Sequence, residues 1–217
     1  MDTRTKEAIR YLGYGKHAVD DHIYAILDEC FSELESAAHK RIIYRIFELS
    51  WEDDNSLNIG KMHIVSKNLS KNMKGGHEVI VLGATLGVGV DMMMKRYSLT
   101  DMAKAVVLQA AAAALLEEFL DEEQQKIAEK LAKEGKYLRP RFSPGYGDFS
   151  IEHQGMLLAM LDAAKKIGLT MTDGCMLTPV KSVTAVIGIS RVKEPCHIKG
   201  CEVCEKRDCI YRRNEEC

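Results

Sequence analysis

Glu78-Val79-Ile80-Val81-Leu82-Gly83-Ala84-Thr85-Leu86 is a near-continuous apolar run, closed by Gly87-Val88-Gly89. Its length suits a central strand, and the glycines suit a tight turn that lets the following helix pack against the sheet. That helix carries Asp91 and Met92-Met93-Met94. The neighbours of this run decide the class. Upstream, Arg41 to Trp51 is rich in β-branched and aromatic residues. With Leu57 to Ile59 and Met62 to Val65, and turns at Asp53-Asp54-Asn55 and Gly60-Lys61, it predicts a small antiparallel meander. Downstream, Lys181 to Ile189 predicts a final strand.

Helical signals surround these strands. Ile9 and Leu12 mark a short helix over Lys6 to Tyr14. Ile23, Ile26, Leu27, Cys30 and Leu34 repeat at helical spacing, with Asp20 or Asp21 placed to cap. Ser66 caps a short helix before Gly75-Gly76. Thr100 or Asp101 starts the longest helix, which runs to about Lys133 and stops at Gly135. Ser150 caps another that ends at Gly168. Helices and strands mix without strict βαβ alternation, so the class is α+β. The expectation is a single domain over residues 1–190, a mostly antiparallel sheet flanked by long helices, with a Cys-rich tail at 191–217.

Thirty basic against thirty-two acidic residues leave a net charge of −2, so no strong field favours nucleic acid or an anionic membrane. The longest apolar run, Ala105 to Leu116, falls short of the roughly twenty residues a membrane span needs and reads as a buried helix. The N-terminus lacks the apolar core of a secretion signal, so a cytoplasmic, reducing setting is expected. There is no phosphate loop, no dinucleotide glycine spacing, no nucleophile elbow and no His-Glu-x-x-His helix. The common hydrolase and ATPase chemistries have no residues to stand on.

The most specific stretch is Arg139-Pro140-Arg141-Phe142-Ser143-Pro144-Gly145-Tyr146. Arg141 can bind a carboxylate through two parallel N–H donors. Gly145 permits close backbone approach, and Tyr146 offers a flat face and a hydroxyl. Such a set suits a zwitterionic or cationic amphiphile better than a polyphosphate. On composition alone the stretch reads first as a well-packed loop with surface arginines.

Arg141-Phe142-Ser143-Pro144-Gly145-Tyr146 resembles the Arg-x-x-x-Gly-Tyr signature of the reactivation domain of cobalamin-dependent methionine synthase. Three further features follow in that family's order: Ala84-Thr85-Leu86-Gly87 with Asp91, the Ala-rich helix carrying Glu117-Glu118, and Met176-Leu177-Thr178-Pro179-Val180-Lys181-Ser182-Val183. The resemblance spans most of residues 5 to 190 and is similar to a free-standing version, with no corrinoid, folate or homocysteine domain ahead of it. It implies S-adenosylmethionine binding in support of the reductive methylation of cob(II)alamin on a separate cobalamin-binding methionine synthase module. It also implies an electron donor of flavodoxin or ferredoxin type. By the same resemblance Arg141 would hold the methionyl carboxylate, and backbone groups near Phe142 and Ser143 would meet the adenosyl part. Gly145 and Tyr146 would shape the pocket. Glu117 would meet the amino or ribose side, since Glu117 and Glu118 point about 100° apart on a helix and only one can face it. Two departures stand out: Gly147-Asp148-Phe149-Ser150 replaces a Pro-containing stretch, and residues 1 to 22 hold no counterpart of the family's acidic N-terminal ligand. They imply weak affinity, or a site that a partner completes.

Cys196-x4-Cys201-x2-Cys204-x4-Cys209 forms a second constellation. Four thiolates at this spacing can close an iron–sulfur or zinc site, or stay as free thiols or a disulfide. A low-potential cluster would suit cobalamin reduction. The methionines at 92–94 read either as core filling or as a soft surface for a corrinoid. The histidines lack ligand spacing. Two other functions stay open: a corrinoid-protein partner or metal-binding accessory without S-adenosylmethionine, and a methyltransferase for another substrate.

Overall fold

The computed structural model describes residues 2–14 and 19–192. Short polar side chains set most helix starts. Asp2 accepts from Thr5 N–H at the head of α1 (Thr3–Tyr11), and Asp20 from His22 N–H at α2 (Asp21–Ala37). Ser66 caps α3 (Lys67–Met73) through Leu69 N–H. Gly87, which offers no side-chain cap, precedes α4 (Val88–Thr100), and Asp101 caps the long α5 (Met102–Ala132) through Lys104 N–H. Ser150 starts a 3-10 turn at Ile151–His153, followed by α6 (Gln154–Leu161) and α7 (Ala163–Ile167).

The strands are β1 (Arg41–Trp51), β2 (Ser56–Ile59), β3 (Met62–Val65), β4 (Glu78–Thr85), β5 (Tyr137–Leu138), β6 (Thr170–Met171), β7 (Leu177–Thr178) and β8 (Ser182–Ser190). Six form one sheet in the order β3-β2-β1-β4-β8-β5, every pair antiparallel; β6 and β7 pair separately. The apolar run at 78–85 is therefore central, with β1 on one side and β8 on the other.

Alternation along the strands builds two cores. Ile80, Leu82, Ala84, Ala185, Ile187 and Ile189 face a layer made of α1, α2, α4 and α5. Val79, Val81 and Val186 face the β2–β3 hairpin, α3, α6 and α7. The long helices thus flank one face of the sheet, and short ones cover the other. Ala111, Ala112 and Leu115 of α5 are fully buried, as the apolar run through 105–116 requires. Among the described residues no helix is long and apolar enough to cross a membrane.

Two local readings change. The helix expected from Ser150 to Gly168 is broken at Asp162, which takes φ 54°. Leu161 and Ala163 are two residues apart, on opposite faces of a straight helix. The break lets both reach the same core. The glycines after β4 serve a neighbour other than the sheet. A Cβ on Gly89 would stand 2.5 Å from the carbonyl oxygen of Ala37, and one on Gly87 would stand 3.2 Å from that of His39. They let α4 approach the junction between α2 and β1.

Candidate functional site

The segment after β5 is held along the edge of β8 before it turns. Arg139 N–H bonds to Gly188 O, and Phe142 exchanges both backbone bonds with Val186 at 2.9 and 2.8 Å. Phe142 therefore has its N–H spent on the sheet, whereas Ser143 N–H has no hydrogen bond among the described residues. The turn is then closed by Tyr146 N–H to Ser143 O and Gly145 N–H to Phe149 O, with Gly145 at φ 92°. Phe149 is the anchor: it is 1% exposed, beside Phe142 (centroids 6.2 Å apart) and stacked on His153 at 5.3 Å. Tyr146 stays 68% exposed at the tip.

Asp148, unassigned on sequence grounds, ties this loop to α3. Its carboxylate accepts from Ser66 Oγ (2.5 Å), Lys67 N–H (2.8 Å) and Asn68 N–H (3.1 Å). Burial pushes its pKa up, but these donors outweigh it and hold the carboxyl below the ordinary 3.8. Its contribution is therefore complete above that pH and is lost as the pH falls through the lower folded value. Asp148→Asn should lower the melting temperature at neutral pH, and the gap from wild type should shrink as the pH drops below 3.8. Thermal melts of both proteins across that range check it; a gap independent of pH would contradict it.

Arg141, between the two attachment points on β8, reaches across to α5. Its side chain is 19% exposed. Nη1 donates to Gln124 Oε1 at 3.0 Å and Nη2 to Glu117 Oε2 at 3.0 Å, while Nη2 also forms an ion pair with Asp121 Oδ1 at 2.7 Å. Glu118 points elsewhere, to Arg4 of α1 at 3.4 Å. Asp121 and Gln124 were missed by sequence reasoning, although their spacing from Glu117 is that of one helix face.

Continued towards the start of α5, this face lines a cleft of about 340 Å³ formed with Tyr11 and Leu12 of α1, Val106, Gln109, Ala110 and Ala113 of α5, and Lys181. Glu117 lies one turn beyond Ala113. Burial, and then the negative charge of Glu117, push the Tyr11 hydroxyl pKa up. At the other end Lys181 Nζ donates to Gln109 O at 2.9 Å. Burial draws its pKa below the usual lysine value, against the opposing charge of Asp91. Asp91 Oδ2 accepts from Val180 N–H, while its Oδ1 is buried with no hydrogen-bond partner. From Val106 to Gln124 the α5 face is about 27 Å long. It is apolar in the middle and charged at both ends.

Of the three methionines, Met94 is buried, Met93 packs partly on the core and Met92 is exposed. A larger hollow, about 550 Å³, lies at the acidic turn Glu52-Asp53-Asp54-Asn55 with His63, near the opposite edge of the sheet. Among the described residues no group of three or more His, Cys, Asp or Glu could hold a metal ion. Cys196, Cys201, Cys204 and Cys209 lie outside the described residues.

The chain has the fold of the MetH reactivation domain, whose crystal structure was determined bound to AdoHcy. The TM-score is 0.62 over 82% of this chain and 67% of that one, at 15% identity. No protein-family model and no curated protein matches the sequence. The expected α+β architecture and the fold implied by the resemblance agree with this likeness.

Proposed function

We propose that the chain binds S-adenosylmethionine along the α5 face between Lys181 and Arg141 and presents it to a separate cobalamin-binding methionine synthase module. The observation that carries this reading is Arg141, half-buried and facing Glu117 and Asp121. One guanidinium against two carboxylates leaves that end one negative charge in excess. S-adenosylmethionine has one carboxylate, one ammonium and one sulfonium, a net positive charge that complements it. The apolar cleft beside Ala110 and Ala113 suits a nucleoside body. When bound, the ligand supplies a methyl group already activated by its own sulfonium. The chain's own work is then to orient and to exclude water. Arg141 holds the carboxylate, while Glu117 meets the ammonium or ribose hydroxyls. Ser143 offers its free N–H to the adenosyl part, Phe142 braces that backbone against β8, and Gly145 and Tyr146 form the wall.

Calorimetry with S-adenosylmethionine and with AdoHcy tests this. The charged sulfonium should bind the more tightly, since AdoHcy lacks the positive charge that the acidic pair favours. Equal affinities would contradict the charge argument. Absence of heat with either would favour a second reading, in which Arg141 serves only as an interior tie and the chain is a corrinoid-protein partner without a methyl donor. That reading is motivated by the two hydrogen bonds and the ion pair that Arg141 already makes to α5.

A further inference from the structure

The cleft beside Tyr11 combines apolar walls with one polar end, the requirements of a flat, uncharged heterocycle. Ala110 and Ala113 of α5 line it three residues apart, with no side chain beyond Cβ to obstruct a ring. Tyr11 supplies an aromatic wall from α1, its ring already steadied by the Arg10 guanidinium 4.4 Å from the centroid. A base laid against such a ring gains stacking energy whatever its identity. The walls therefore favour a nucleobase without choosing among nucleobases.

The choice falls to the polar end, formed by Gln109 and Lys181. An ammonium has three donors and no acceptor. Lys181 spends one of them on the Gln109 carbonyl oxygen at 2.9 Å, and the opposing charge of Asp91 stands near it, so this is no free cation waiting for a phosphate. Gln109 is exposed, and its side-chain amide makes no hydrogen bond among the described residues. That amide carries an acceptor and a donor side by side, the pattern that matches the 6-amino group and N7 of adenine. A base with a keto oxygen at position 6 presents two acceptors there. Turning the amide over repairs one contact and spoils the other.

The rest of the α5 face agrees with a base at this end. From Gln109 to Glu117 the helix rises about 12 Å, the reach of an amino acid joined through a sulfonium to a nucleoside. Glu117 and Asp121 outnumber Arg141 in charge at the far end and would repel the phosphates of a nucleotide. We infer that Gln109 is the residue that selects adenine, with Tyr11 as the stacking wall and Lys181 donating to a ring nitrogen. The inference rests on the binding of S-adenosylmethionine and adds which groups recognise its base. The ribose and methionyl parts remain with Ser143, Glu117 and Arg141.

Calorimetry with S-adenosylmethionine and with S-inosylmethionine, whose base carries the keto oxygen, tests it. Wild type should bind the adenine form about tenfold or more tightly than the hypoxanthine form. Gln109→Leu should bind both forms alike, because the change removes the amide and keeps the backbone carbonyl that holds Lys181. Tyr11→Leu should weaken both forms by about tenfold and keep the preference. The Gln109 comparison stands even if the Tyr11 variant does not fold. In wild type, magnetisation transfer from the base protons should reach the methyl groups of Ala110 and Ala113. Equal affinities in wild type, a preference that survives Gln109→Leu, or no transfer to those methyls would overturn this inference while leaving the methyl-donor reading in place. No binding of S-adenosylmethionine to wild type would remove that reading and the inference together.

Discussion

Phe149→Ala should cost about 3–5 kcal/mol of stability, the range for truncating a fully buried aromatic. In a chain of this size that lowers the melting temperature by on the order of 10 °C. The effect reaches beyond the core. The Phe149 ring packs between Phe142 and His153, and its backbone N–H and C=O bond to Tyr146 O and Gly145 N–H. Removing the ring unseats the turn that places Ser143, Gly145 and Tyr146. Urea denaturation followed by fluorescence checks the stability, and ligand calorimetry on the folded variant checks the loop. A loss below about 1 kcal/mol would mean that the site of the ring collapses easily and the turn stands on other contacts.

Arg141→Ala acts chiefly on binding. Loss of a paired charge that meets a carboxylate costs about 2–5 kcal/mol, so the dissociation constant for S-adenosylmethionine should rise by on the order of 100-fold. Stability should fall far less, because the guanidinium is partly exposed and its partners on α5 regain solvent. Glu117 and Asp121 are then left one turn apart without their shared cation, a modest like-charge penalty. Arg141→Lys should recover only part of the affinity, since an ammonium lacks the two-pronged geometry. Calorimetry on the three proteins checks this. Binding by Arg141→Ala within twofold of wild type would remove Arg141 from the site.

Local chemistry made much of this architecture legible. The Asp20, Ser66 and Asp101 caps act within three residues of themselves, so their helices start where the sequence predicts. The 78–86 run announces a strand covered on both faces because no polar residue interrupts its middle. The break at Asp162 has no glycine or proline to announce it, because both of its flanks are needed by one core. The strands β5, β6 and β7 are two residues each and exist only through their partners. In the candidate site, Arg141 and Glu117 could be named from a motif and a helix phase. Asp121 and Gln124 could not, since the face of α5 that meets the loop depends on Phe142 being registered against Val186. The value of Lys181 as the cation of a cleft depends likewise on a distant carbonyl, that of Gln109.

The central claim is that the charged face of α5 receives S-adenosylmethionine. An NMR titration that follows backbone amides and the arginine side-chain N–H signals tests it most directly. Saturable shifts should concentrate at Ala110, Ala113, Glu117, Ser143 and the Arg141 guanidinium, with the acidic turn at 52–56 unchanged. Shifts confined to that turn, or no shifts at saturating ligand, would contradict the account.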